Sequence, residues 1–80
     1  MDNTGKIQQY AIQVRPLRKE DGGGFEAHYP QLARSVVGYG ATPQEAVSDL
    51  CDAVPVFLEA IAALGQSLPT PEWAALQDAA

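Results

Sequence analysis

The sequence predicts an α+β fold: a three-stranded antiparallel sheet packed on one long amphipathic helix, in the order β-β-β-α. Three observations predict it. Short stretches with period-two alternation fill the first half of the chain. A helix-capping signature stands midway, and an amphipathic pattern of about six turns follows it. Glycine and proline punctuate the gaps between these stretches.

The first strand is read over Gln9 to Arg15, where Tyr10, Ile12 and Val14 alternate with Ala11, Gln13 and Arg15. Pro16 ends it, because proline has no N–H for the ladder. Residues 17–24, Leu-Arg-Lys-Glu-Asp-Gly-Gly-Gly, are charged and then glycine-rich, the composition of a hairpin loop. A phosphate-cradling loop is the functional alternative. It would require a Gly-Lys-Ser/Thr end running into a long helix, and neither follows.

Phe25, Ala27 and Tyr29 alternate with Glu26 and His28 in a second strand, ended by Pro30. After the connection Gln31 to Arg34, Ser35 to Tyr39 read as a third. The simplest topology is a meander with the second strand in the middle. The expected helix-facing set is Tyr10, Ile12, Val14, Phe25, Ala27, Tyr29, Val37 and Tyr39. Gln13, Arg15, Glu26, His28, Val36 and Gly38 then make a mixed, wettable opposite face.

The helix begins at Thr42-Pro43-Gln44-Glu45. Thr42 supplies a capping hydroxyl, Pro43 suits the first helical position, and Glu45 can reach back to the cap's own N–H. Val47, Leu50, Cys51, Val54, Phe57, Leu58, Ile61 and Leu64 then fall on one arc, with Glu45, Ser48, Asp49, Asp52 and Glu59 opposite. Gly65 fits the end. Pro55 either kinks this helix or splits it in two. Leu68-Pro69-Thr70-Pro71 runs extended. A short tail helix over 71–78 is expected after it, capped by Thr70, with Trp73 and Leu76 turned inward. Trp73 reads as packing for the tail or as a binding anchor. Residues 1–80 make one domain, with its core over 8–71.

Composition bounds the function. With 80 residues the chain buries only roughly 60–65% of its unfolded surface, so self-association is a reasonable expectation. A 46% hydrophobic share argues against wholesale disorder. Ten acidic and five basic residues give a net charge of −5, which disfavours sequence-independent nucleic-acid binding and suits a basic protein partner. The polar start, the single cysteine and the lack of an apolar run of roughly 18 residues lead to a cytoplasmic setting without membrane insertion.

Little in the sequence points to catalysis. His28 is the only histidine, and its same-face neighbours Glu26 and Arg15 make a surface salt link a better reading than a catalytic dyad. No metal-ligand spacing surrounds it, and no cofactor motif is present. Cys51 lies between Asp49 and Asp52, whose charge would raise a thiol pKa and make it less reactive, so a core or core-edge cysteine is expected. Three strands and one helix leave a sheet face and, unless the tail covers one, two strand edges to be completed by another molecule.

The order of motifs resembles the N-terminal domain of HicB-like antitoxins from roughly Gln9 to Pro71. The elements are the Tyr10-Ala-Ile-Gln-Val strand, Gly24-Phe25-Glu26-Ala27, Tyr29-Pro30-Gln31-Leu32, Gly40-Ala41-Thr42-Pro43-Gln44-Glu45-Ala46, and Leu68-Pro69-Thr70-Pro71. The resemblance implies a partial ribonuclease-H-like β-β-β-α-β fold, with a short fourth strand and without that enzyme's acidic catalytic set. It also implies a partner, a small basic messenger-RNA-cleaving toxin of the HicA type, neutralised by covering its surface.

The chain departs from the family at Ala41, where an acidic residue is usual, and at Pro55. It also stops at Ala80, short of a DNA-binding module, so direct nucleic-acid binding is not expected and the family's operon repression does not carry over with the resemblance. The expectation is therefore an oligomeric (dimeric or larger), non-catalytic antitoxin module. Its expected partner contacts are Arg15, Glu26 and His28 on the free sheet face and Arg18, Glu20 and Asp21 in the hairpin loop. An orphan oligomeric regulatory module with no ribonuclease partner is the alternative.

Overall fold

The structure is a computed structural model, described over residues 7–32, 34–69 and 71. Three strands, β1 (Gln13–Pro16), β2 (Phe25–His28) and β3 (Val37–Gly40), form an antiparallel sheet in the order β1-β2-β3. One helix, α1 (Pro43–Ala63), follows. The expected α+β order is observed, and among the described residues the sheet has no fourth strand. The expected tail helix, with Thr70, Trp73 and Leu76, lies outside the described residues.

The β1–β2 hairpin closes through Lys19–Asp21, a single 3-10 turn, and Gly22, Gly23 and Gly24. The amide of Leu17 donates to the Gly24 carbonyl at 2.9 Å. All three glycines have positive φ, at 105°, 68° and 72°, where a side chain would be strained. At Gly24 a Cβ would also stand 2.6 Å from the Gly40 carbonyl oxygen, so this position has two independent reasons to be glycine.

Helix α1 starts as its sequence directs. The Glu45 amide donates to Thr42 Oγ1 at 3.1 Å, and the Thr42 amide donates back to Glu45 Oε1 at 3.2 Å. The helix runs unbroken through Pro55, so the split-helix alternative does not occur. It ends in a Schellman turn. Gln66 N–H donates to the Ile61 carbonyl, Gly65 N–H donates to that of Ala62, and Gly65 takes a φ of 71°.

The register corrects the expected phase of the third strand. Val14, Ala27 and Gly38 stand opposite one another, as do Arg15, Glu26 and Tyr39. Val36 and Gly38 are therefore buried beneath α1, while Tyr39 faces outward at 51% exposure. The reason is the closeness of the helix. A Cβ on Gly38 would lie 2.2 Å from the Leu50 amide nitrogen, and one on Gly40 would lie 2.5 Å from Glu45 Cβ. Only the parity that places both glycines under α1 lets the two layers touch.

The core is built from Ile7, Tyr10, Ala27, Tyr29, Val36, Ala46, Leu50, Val54 and Leu68. The covered arc of α1 is narrower than expected: Ala46 joins it, while Cys51 and Leu64 are exposed. β1 also begins later than expected, at Gln13. Tyr10 leaves the ladder to pack edge-on against Tyr29, with ring centroids 6.1 Å apart, and its hydroxyl donates to the Pro69 carbonyl. Ile12, expected under the helix, is 39% exposed.

Candidate functional site

The face of the sheet away from α1 carries one charge that the fold has withdrawn from water. Glu26 sits at the centre of β2, between Arg15 and Tyr39 in register, and is only 1% exposed. A buried carboxylate is costly unless it is paired and hydrogen-bonded. Here Arg15 Nε donates to Oε1 at 3.1 Å, and Arg34 Nη1 donates to Oε2 from the connection before β3. His28 Nδ1 lies 3.4 Å from Oε1 but makes no hydrogen bond.

The hydrogen bond from Arg15 holds the Glu26 carboxyl below its ordinary value. The bond from Arg34 and the charges of both arginines add to that effect, and burial opposes it. Reciprocally, Arg15 is raised above its ordinary value, first by its hydrogen bond to Glu26.

Three of the expected contact residues, Arg15, Glu26 and His28, are thus brought together, but the face is not the wettable patch expected. Glu26 is the most buried charge among the described residues and is already engaged by two cations. Two guanidinium groups against one carboxylate leave the cluster with excess positive charge. The hairpin residues behave differently. Arg18 and Glu20 form an exposed pair at 3.9 Å, and Asp21 acts on the cluster through its charge on Arg15.

Sequence reading missed Arg34 and Tyr39. Arg34 gave no periodic signal because it lies in a connection. Tyr39 was misplaced with the phase of its strand, which the Gly38–Gly40 spacing could have revealed.

The start of α1 and the glycine loop form a shallow depression lined by Gly22, Gly23, Gly24, Tyr39, Gly40 and Ala41. Amides at a helix start attract anions. In this molecule Glu45 Oε1 already accepts from the amides of Ala41 and Thr42, at 3.1 and 3.2 Å. The chain's own carboxylate thus occupies the donors a phosphate would use.

On the opposite flank, the outer edge of β3 and the second half of α1 enclose an open groove of about 460 Å³, lined by Ser35, Val36, Val37, Ala53, Val56, Phe57 and Ala60. Val56 is 68% exposed beside it. The antiparallel ladder turns the N–H and C=O of alternate β3 residues, Val37 and Tyr39, away from β2. The Tyr39 amide is sealed by Asp49 Oδ2 at 2.9 Å. Val37 lines the groove.

Among the described residues the cations avoid the helix. Helix α1 carries Glu45, Asp49, Asp52 and Glu59 and no cation. The described Lys and Arg residues, Arg15, Arg18, Lys19 and Arg34, all lie in β1, the hairpin and the connection before β3. Among the described residues no three His, Cys, Asp or Glu side chains converge as a metal site, and no helix is long and apolar enough to cross a membrane. Compared with protein-family models, with curated proteins and with solved structures, the chain matches none.

Proposed function

We propose that the chain is a non-catalytic binding module that captures a small basic protein, as HicB-like antitoxins capture HicA-type messenger-RNA-cleaving toxins. The observation that carries this reading is the uniformly acidic helix α1 beside an apolar groove and a strand edge. Such a surface steers a cationic partner by its field and then holds it by apolar burial and backbone pairing. The lone histidine supports a non-catalytic role. Glu26, the carboxylate that would orient it as a base, is committed to two arginines. The reading sets the chain in the cytoplasm and gives it no direct contact with nucleic acid.

The test is co-expression with a short basic protein encoded next to this chain, followed by purification and an RNA-cleavage assay. The expected result is a stable complex in which cleavage is suppressed and then restored when the complex is dissociated. A basic protein that cleaves RNA equally well with and without this chain overturns the antitoxin reading. The exposed Val56 at an open edge also fits the alternative, an oligomeric regulatory module with no ribonuclease partner. That alternative would show self-association by sedimentation and no effect on RNA cleavage.

A further inference from the structure

The resting net charge of a protein does not say where a partner sits, but the placement of charge here does. Among the described residues, the sheet face expected to make the contact gathers two cations, Arg15 and Arg34, around the single carboxylate of Glu26. A basic partner is repelled there. The groove beside β3 has the opposite character. Its lining is mostly apolar, through Val36, Ala53, Val56, Phe57 and Ala60, with the Val37 backbone along the β3 side. Asp52 and Glu59 lie one helical turn before and after the exposed Val56, on the same side of α1.

We propose that the groove between β3 and the second half of α1 is the docking site for an extended basic segment of the partner, which adds antiparallel to the outer edge of β3. The inference rests on the reading of the chain as a binder of a basic protein, and it names the surface.

The geometry assigns each part a role. The Val37 N–H and C=O, turned away from β2, take the incoming backbone. Alternate side chains of the added strand point toward α1 and meet Val56 and Phe57. Asp52 and Glu59 select Lys or Arg at the positions flanking those apolar residues. Asp49 sets the register, because its carboxylate already holds the Tyr39 amide and ends the free edge there. Added pairing is thereby confined to the Val37 end of the strand, the end that opens into the groove.

The test uses the whole chain, isotope-labelled for amide NMR, with two synthetic capped peptides as probes. One alternates Lys and Val, and the other alternates Glu and Val. The Lys-Val peptide is expected to shift the amides of Val37, Val56 and Phe57 and to slow hydrogen exchange at Val37, whereas the Glu-Val peptide does neither. Reversing both flanking charges, Asp52→Lys with Glu59→Lys, should weaken the Lys-Val complex by about tenfold, equivalent to about 1.4 kcal/mol. Lys19→Gln, at an exposed hairpin cation far from the groove, should leave that complex unchanged. The altered positions Asp52 and Glu59 are exposed, and unmoved amide signals from Ala27 and Leu50 report that the fold is intact.

Shifts gathered on Arg15, Arg34 and Tyr39 overturn the proposal, as does equal binding of the Glu-Val peptide. Protection of Val37 that grows with chain concentration alone also overturns it, because a second copy is then the occupant. The two levels of inference fail separately. A charge-reversed chain that still suppresses the basic ribonuclease removes the groove but keeps the antitoxin reading. Peptide binding in the groove without suppression removes the antitoxin reading but keeps the groove.

Discussion

The Asp49 carboxylate accepts the backbone N–H of Tyr39 at 2.9 Å, so a side chain of the helix closes part of the sheet's edge. Exposed edges invite pairing with other chains, and a charged side chain on the edge is a common protection. Asp49→Ala is expected to cost only about 0.5–1 kcal/mol, since the bond is exposed. Its larger effect should be faster hydrogen exchange at Tyr39 and self-association at high concentration. Asp49→Asn keeps an acceptor and should show neither. Exchange NMR with sedimentation velocity checks both variants.

Glu26 gives the molecule its acid sensitivity. Its folded-state pKa is depressed below the ordinary 4.5, chiefly by the hydrogen bond from Arg15. Its contribution to stability is therefore fully present above that value and lost as pH falls through the depressed one. Glu26→Gln should destabilise the protein near neutral pH by about 1–2 kcal/mol rather than the roughly 3–5 of a fully buried pair, because the part-exposed arginines regain water. The gap between the two proteins should narrow as pH drops below 4.5. Urea melts across an acid pH series measure this.

The aromatic pair Tyr10 and Tyr29 sets the alkaline limit. Burial raises both phenols above the ordinary 10.0. Stability from keeping them protonated is present below that value and is lost as pH rises through the folded-state pKa. Tyr10→Phe removes the hydroxyl that donates to the Pro69 carbonyl and should cost about 1 kcal/mol at neutral pH. It should also flatten the alkaline decline. Denaturant melts at neutral and alkaline pH distinguish the two effects.

Gly38 is where helix and sheet come closest. Gly38→Ala places a Cβ 2.2 Å from the Leu50 amide nitrogen and 2.4 Å from the Ala46 carbonyl oxygen. These are backbone atoms that cannot swing aside. The expected loss is about 3 kcal/mol, at the upper end of overpacking costs. In a domain this small that lowers the melting temperature by roughly 12–24 °C. Thermal unfolding followed by circular dichroism reads it directly.

How much of this was legible depends on whether the governing interaction was local. The start of α1 was readable residue by residue, because a capping box is satisfied within four positions: Thr42, Pro43 and Glu45 do what their chemistry suggests. The end at Gly65 was readable for the same reason. The phase of β3 was not. Alternation favoured placing Val37 and Tyr39 under the helix, but the packing distance favoured Gly38 and Gly40, and that distance is a property of two layers rather than of one strand.

The candidate site divides along the same line. Arg15, Glu26 and His28 share a face because strand periodicity puts them there. That Glu26 is buried depends on Arg34 reaching it from a connection with no pattern of its own. The groove leaves no mark in the sequence, because Val56 lies outside the apolar arc and gains its meaning only from β3 beside it.

The hydrogen bond from Tyr10 to Pro69 spans 59 positions of sequence, so stretches near the two limits of the described residues are held side by side. A unit with that property can be spliced into a surface loop of a host protein without prying the host apart. Over the described residues the two flanks of the fold are thus clasped by one phenol and one carbonyl.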